Sequence, residues 1–408
     1  MAIGTQTVVA GQRTTMETSA QNFHVRDVED KIRLLQPYPT PIDNFFMLND
    51  KVATAETKGI RGKFEWYEDA FLPSLSTLAS GITGGSTTAT VVTSGQYFRL
   101  NDLFIAEATG EIMRVNSTPT YSAPNQTFTA KLVGSGNITS VTSGTVLQRL
   151  APAYEEGGAK GVSLTVVGVN KYGYPQIMKR LLSMSNRQTA SATYGGSDWA
   201  YQWRKELMQL REEWERAIIN QGASYDDSST GITYSAGFHS LTTNLMTYSG
   251  GVISKATFDS AIKQCFTNGS TYELDAYCGG DALMDIAAFI TNLLTIQQQS
   301  EKLRISEFGL LTATPTDTKL VTYIHPMGKV NIYYNPQIRS GYTGDIIFIA
   351  RENLKKRYMA SDITGQPRKY RLELGIQTVG NDSYDAQYLM DNGLQIILEE
   401  THGRLTRA

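Results

Sequence analysis

One stretch constrains this chain more than any other: DWAYQWRKELMQLREEWERAIINQG, residues 198 to 222. Trp203, Leu207, Leu210, Trp214 and Ala217 recur at steps of four and three, which places them on one side of an α-helix. Arg204, Lys205, Arg211, Glu212, Glu215 and Arg216 fill the intervening positions and read as a solvated face. Ser197 is a suitable N-cap and Gly222 stands where a helix C′ residue is expected. At 1.5 Å per residue such a helix is roughly 37 Å long, so whatever the chain builds must accommodate a strut of that length.

The rest of the chain is organised around it. With 408 residues, 41% of them hydrophobic, two or three packed units are expected. A net charge of −2 argues against a dedicated nucleic-acid binder. Cys265 and Cys278 are too few for a disulfide framework or a zinc site and read as buried thiols of a reducing cytoplasm. The first residues, MAIGTQTVVAGQRTT, show no secretory pattern. The best apolar run, DIAAFITNLL at 285 to 294, falls short of the roughly 20 residues a membrane span needs, so no membrane role is expected.

Residues 1 to 30 carry mixed charge without helical or strand period and read as an arm. Three prolines in LLQPYPTPIDNFF imply an extended path leading to the apolar anchors Phe45, Phe46 and Leu48. GKFEWYEDAFL reads as a strand with Phe64 and Trp66 on one face. From 81 to 153 the composition turns to Thr, Ser, Gly and Val, with short strands between turns. In TFTAKL, Phe128, Ala130 and Leu132 alternate with polar residues, so this block reads as an all-β insertion. Beyond the long helix, Phe258, Ile262 and Phe266 mark one amphipathic helix, and Leu283, Ile286, Ile290 and Leu293 another. The strands LVTYIH, KVNIYY and DIIFIA follow them. In YDAQYLMDNGLQIILEE, Asn392-Gly393 reads as the turn of a hairpin.

Motifs of catalysis and cofactor binding fail one by one. His24, His239, His325 and His402 lie at no metal-ligand spacing. GSGNIT and EEGGAKG lack the residues that cradle phosphate. DDSSTG at 226 to 231 begins like a calcium loop but has Gly237 where a bidentate glutamate belongs. LKKRY and RKYR read as solvated basic faces. No catalytic, cofactor-binding or metal residue is therefore nominated, and the chain is expected not to be an enzyme.

The order of parts resembles the major capsid proteins of tailed bacteriophages, the Hong Kong 97-type fold. The arm resembles residues 1–30, the outgoing strand of the extended loop GKFEWYEDAF, its returning strand YGYPQIMKRLLSMSNRQTASATYGG, and the spine helix Asp198 to Gly222. The terminal LQIILEETHGRL is similar to the last peripheral strand. The resemblance implies an α+β fold with this layout: arm 1–30; start of the peripheral domain and outgoing strand 31–80; β-rich insertion 81–153; returning strand 154–196; spine helix within 197–235; axial domain 236–378; peripheral return strands 379–408. It implies a virion protein, assembled in the host cytoplasm as hexamers and pentamers of itself around double-stranded DNA. DNA would be touched only weakly and non-specifically. A separate scaffolding protein, a portal and a decoration protein are the implied partners. The helix would be a strut, with Trp203, Leu207, Leu210 and Trp214 clamping it to the peripheral sheet. Lys58 and Lys63 are candidates for the crosslinks of some family members, but nothing singles out a pair, and none is expected. Two other readings stand beside this one: an encapsulin-like nanocompartment shell, and a β-rich adhesin or carbohydrate-binding protein.

Overall fold

A computed structural model describes residues 39–157, 161, 163–191, 198–268, 272–297, 319–338, 343–361, 365–377 and 379–407. The expected arm and the capping Ser197 lie outside these residues, as do the side chains of Ile290 and Leu293. The chain forms two compact units, residues 66–171 and the chain on either side of them.

The larger unit contains two sheets. The first is built on one long strand, Ser383–Ile396. Gln176–Ser185 pairs antiparallel along one edge of it for ten residues, from Gln176↔Asn392 to Ser185↔Ser383. Along the other edge lie Arg371–Leu374 and Leu354–Met359, and Thr54–Thr57 joins the latter in parallel. Asn392-Gly393 is therefore no turn, because the strand runs straight through it. The glycine is explained by crowding: a Cβ at 393 would lie 2.8 Å from the Tyr174 carbonyl oxygen and 3.0 Å from the Phe64 ring. Glycine inside a strand marks such a close approach as readily as it marks a bend.

The second sheet has the order Leu245–Tyr248, Gly403–Arg407, Ile346–Ile349, Glu273–Cys278, Gly328–Tyr334, Lys319–His325. Both of its faces are buried. Ile346 and Phe348 pack with Phe258, Ile262, Cys265 and Ile286 from the helices Lys255–Asn268 and Gly280–Gln297. Ile347 and Ile349 point the other way and join Trp214 and Ile218 of the long helix. Period-two alternation with apolar residues on both faces is what a central layer requires.

Three sequence expectations change here. Gly403–Arg407, grouped by the resemblance with the peripheral return strands 379–408, lies in this second sheet and not with Ser383–Ile396 in the first. The chain crosses over because Leu398 takes a left-handed conformation (φ 51°) before the turn Glu399–Thr401, which ends the long strand. Leu354–Met359 and Arg371–Leu374, assigned by sequence to the axial segment, pair with Ser383–Ile396 instead. And Pro41–Leu48 is helical, not extended: a proline at the first helical position removes only an N–H that has no partner anyway. Of its expected anchors Phe46 is buried, while Leu48 is exposed.

The smaller unit is a closed β-barrel with its own core of Leu78, Val91, Phe98, Phe104, Met113, Phe128 and Leu147, among others. Its strand order is Thr88–Ser94, Leu75–Ser80, Val146–Pro152, Asp102–Ala106, Ile112–Val115, Asn125–Leu132 and Thr120–Ser122. Pairing of Thr88–Ser94 with Asn125–Leu132 closes the ring. Phe128 and Ala130 point inward, as their alternation requires. Leu75–Ser80 pairs with Val146–Pro152 and so belongs to the barrel, not to the outgoing strand. Phe64–Glu68 and Val169–Gly173 form a separate two-stranded ribbon.

A barrel with its own closed core should be removable. Replacing residues 74–153 with a short Gly/Ser linker is expected to leave a soluble protein that still melts cooperatively by circular dichroism. An insoluble or molten product would contradict this division.

Candidate functional site: a buried charge cluster beneath the long helix

The long helix is Asp198–Asn220. Leu210, Trp214, Ile218 and Ile219 are fully or nearly fully buried on it, while Trp203, Leu207 and Ala217 are half-buried. Trp203 lies against Tyr388, ring centroids 6.2 Å apart, and Trp199 meets Tyr384 edge-on at 4.9 Å. The helix thus rests on the long strand of the first sheet near its start, and in the shared core toward its end. In the ribbon, Phe64 is buried, and Trp66 is half-buried with its Nε1 donating to Glu68 at 2.7 Å.

Glu215, read from sequence as part of the solvated face, is wholly buried. Its carboxylate accepts hydrogen bonds from the backbone N–H groups of Ile42 (3.0 Å) and Asp43 (2.9 Å) and from Asn335 Nδ2 (2.7 Å). The first two are orphan donors in the opening turn of the helix Pro41–Leu48, whose own N-cap, Thr40, makes no capping bond. A side chain 173 positions away in sequence therefore caps this helix. The cap also places an acid at the positive end of the helix dipole.

Asp43, at the start of the same helix, is also buried. It accepts from Arg211 Nε at 2.7 Å and Lys356 Nζ at 3.2 Å, and from the Tyr370 hydroxyl. Arg211 also reaches Asn44 Oδ1 at 2.5 Å. Lys356 is as buried as its partner, donates to Tyr370 at 2.8 Å, and sits 4.2 Å from the Tyr370 ring centroid and 5.4 Å from that of Trp214. LKKRY and RKYR are thus not solvated faces. Strand alternation carries the signal for Lys356, since it shares a face with the buried Leu354. Nothing local marks Glu215, because Arg211 and Glu215 at i,i+4 look like an ordinary surface pair.

Burial pushes Asp43 up, but Lys356, Arg211 and Tyr370 outweigh it and hold its carboxyl below the usual carboxylate range. For Glu215, burial prevails over the pull of its N–H donors, and with the Asp43 charge nearby it is pushed up to about 8. Burial lowers Lys356 against the attraction of Asp43. A second tie binds the same helix to the second sheet. Arg351 lies over the Phe45 ring at 5.5 Å and pairs with the buried Asp275, which burial pushes up to about 6.

This arrangement holds segments together. The groups are enclosed, mutually satisfied, and drawn from residues 43, 211, 215, 335, 356 and 370. No grouping of His, Cys, Asp and Glu suited to a metal ion occurs among the described residues. The acidic start of DDSSTG is used locally: Asp226 pairs with Arg61 at 3.0 Å, and Asp227 accepts from Ser229 and Thr230. No helix of the described residues is long and apolar enough to cross a membrane.

Removing one member of a buried pair strands the other. Asp43→Asn, which leaves Lys356 buried without an anion, should cost about 3–5 kcal/mol in urea unfolding. The double variant Asp43→Asn/Lys356→Met should cost less than the sum of the single changes, with a coupling of about 2–3 kcal/mol. Strict additivity would show that the two charges do not depend on each other.

No curated protein sequence matches the chain. Among solved structures it is similar to the Cyanophage A-1(L) capsid asymmetric unit, at 9% identity and a TM-score of 0.50, covering 96% of this chain and 98% of that one. It is similar to the capsid of the empty GTA particle at 9% identity and TM-score 0.48, covering 98% and 100%. It also resembles the SrpI encapsulin of Synechococcus elongatus PCC 7942, at 10% identity and TM-score 0.39, over 60% of this chain and 77% of that one. At such identities the likeness speaks to the fold alone, which is the Hong Kong 97-type fold, α+β with an all-β insertion. Function rests on the sequence family: the SU10 major capsid protein profile matches residues 9–408. With nearly the whole chain matched, this protein belongs to the SU10 major capsid protein family and is a shell protein of the phage head, located in the virion capsid.

Proposed function

We propose that the chain assembles as hexamers and pentamers into an icosahedral shell around double-stranded DNA, guided by a separate scaffolding protein and joined to a portal. The reading is carried by the family match over residues 9–408. The ribbon supports it physically: Tyr67, Val169 and Tyr172 stand 78%, 58% and 54% exposed on a two-stranded element. Exposed apolar and aromatic residues are costly in an isolated subunit and useful where copies adjoin. Its stem is held firmly. Arg61 and Gly62 both adopt left-handed backbone, and a Cβ at 62 would strike Pro175 at 2.4 Å. Tyr174 N–H donates to Ser224 Oγ at 2.7 Å, and Thr233 Oγ1 donates to the Pro175 carbonyl at 2.5 Å. With Arg61 on Asp226, these bonds tie both sides of the stem to the hairpin that follows the long helix.

In this reading the long helix is the subunit's strut, its Leu210 and Trp214 fixed in the core and Trp203 and Leu207 lying toward the first sheet. The barrel is an insertion available to contact neighbouring shell components or a decoration protein. DNA contact is weak and non-specific, in keeping with a net charge of −2. The shell role needs no chemistry from this chain.

Purified protein, induced to assemble alone or with its scaffolding protein, should give closed shells, or rings of five and six, in negative-stain electron microscopy. A protein that stays monomeric under every assembly condition would contradict the proposal. Shells recovered from cells filled with an enzyme rather than DNA would favour the nanocompartment reading.

A further inference from the structure

Lys356 Nζ lies 3.2 Å from Asp43 Oδ1, with both side chains wholly buried. The Tyr370 hydroxyl bridges the same two atoms, accepting from Nζ at 2.8 Å and donating to Oδ1. A proton can therefore pass from the ammonium to Oδ1 along two hydrogen bonds. The other carboxyl oxygen, Oδ2, stands apart from this route and accepts from Arg211 Nε at 2.7 Å. The two oxygens of one carboxyl group are thus set up differently: Oδ1 can be protonated, while Oδ2 faces a guanidinium. Rings of Tyr370 and Trp214 flank Nζ, their centroids 4.2 and 5.4 Å away.

We propose that in the folded chain Lys356 and Asp43 condense slowly to a side-chain amide, a covalent link within one chain between the strand Leu354–Met359 and the helix Pro41–Leu48, 313 positions apart in sequence. A proton first passes from the Lys356 ammonium through the Tyr370 hydroxyl to Oδ1, leaving a neutral amine and a carboxylic acid. The Nζ lone pair then attacks Cγ, and the negative charge that develops on Oδ2 is met by Arg211. Nζ gives a second proton to Oδ1 along the same relay, the Cγ–Oδ1 bond breaks, and Oδ1 leaves as water. Oδ2 becomes the amide carbonyl. One ammonium and one carboxylate thus become one neutral amide and one water, with no oxidant, reductant or co-reactant.

Two effects favour the link. Ions withdrawn from water are costly, and a neutral amide is not. Fixed opposition of the reactants replaces a chance encounter, which for well-oriented groups equals an effective concentration of about 10⁵ M or more. Arg211 is not stranded by the reaction, since its side chain is 25% exposed and also reaches Asn44. Burial favours the neutral amine of Lys356. Lys356, Arg211 and Tyr370 hold Asp43 ionised, however, so the neutral pair is a minor form and condensation is slow beside folding. The ion pair described above is its starting state. Neither Lys58 nor Lys63 takes part.

Intact-mass spectrometry of the full chain, freshly purified and again after prolonged incubation in the folded state, should show a species lighter by one water whose share grows with time. Digestion should join the peptide carrying Asp43 to the peptide carrying Lys356 in one branched species, with trypsin no longer cleaving after Lys356. Lys356→Arg keeps a cation beside Asp43 and should give no branched species. Tyr370→Phe removes the relay and should slow the loss of water at least about tenfold, with an unchanged circular dichroism spectrum showing that the chain still folds. The proposal is overturned if the aged, unaltered protein keeps its full mass. It is equally overturned if the water is lost elsewhere, as at an aspartyl succinimide, so that no branched peptide appears, or if folded Tyr370→Phe condenses as fast as the unaltered chain.

Discussion

The fold of the larger unit depends on a capping bond and an ion pair made at one place. Glu215, in the middle of the last turns of the long helix, holds the N–H groups of Ile42 and Asp43, while Asp43 turns its own carboxylate to Lys356 and Arg211. Three separate segments are thereby fixed: the short first helix, the long helix, and the strand Leu354–Met359. Charges so placed cost several kcal/mol each in lost hydration. Asp43, Arg211 and Lys356 are tolerated because the two cations pair with the one carboxylate, while Glu215 is held by three N–H donors. Trp214 and Ile218 of the same helix turn join the face of the second sheet formed by Tyr277, Tyr333, Ile347 and Ile349. The cluster therefore sits at the meeting point of both sheets.

From that point outward, the parts serve a shell subunit in different ways. Around the cluster the structure is closed, with both faces of the central strands of the second sheet buried. Away from it the chain leaves features unfinished: a ribbon with exposed aromatics and a ten-residue strand at the edge of the first sheet. A subunit destined for one of many identical environments needs this contrast, a rigid centre that carries geometry and peripheral elements that gain their partners in assembly. The barrel, within the unit of residues 66–171, adds a module with a separate hydrophobic core.

Patterns of period carried most of the architecture in the sequence. The long helix, the barrel strands and the helices bearing Phe258 and Ile286 are all visible as 3.6- or 2-residue repeats, because each buries one continuous face. What sequence concealed was non-local. Glu215 is indistinguishable from a surface residue until Ile42 arrives from 173 positions away. Gly393 imitates a turn until Phe64 and Tyr174 are seen pressed against it. Pro41 looks like a barrier to helix and is instead a helix start. The crossing of Gly403–Arg407 into the second sheet turns on Leu398, a residue type that gives no hint of left-handed backbone. Lys356 alone was recoverable, from its alternation with Leu354.

The claim that this cluster, rather than local propensity, holds the first helix in place is tested most directly by native-state hydrogen exchange at the amides of Ile42 and Asp43. First-turn amides of a short helix ordinarily exchange quickly, because they have no intrahelical partner and the end frays. If Glu215 binds them as described, both should exchange as slowly as the core amides of the long helix around Leu210 and Trp214, opening only when the whole unit unfolds. In Glu215→Ala they should exchange at least about tenfold faster while the long helix stays protected. Rapid exchange at Ile42 and Asp43 in the unaltered protein would mean that the first helix opens on its own, and that the cluster is not what the fold rests on.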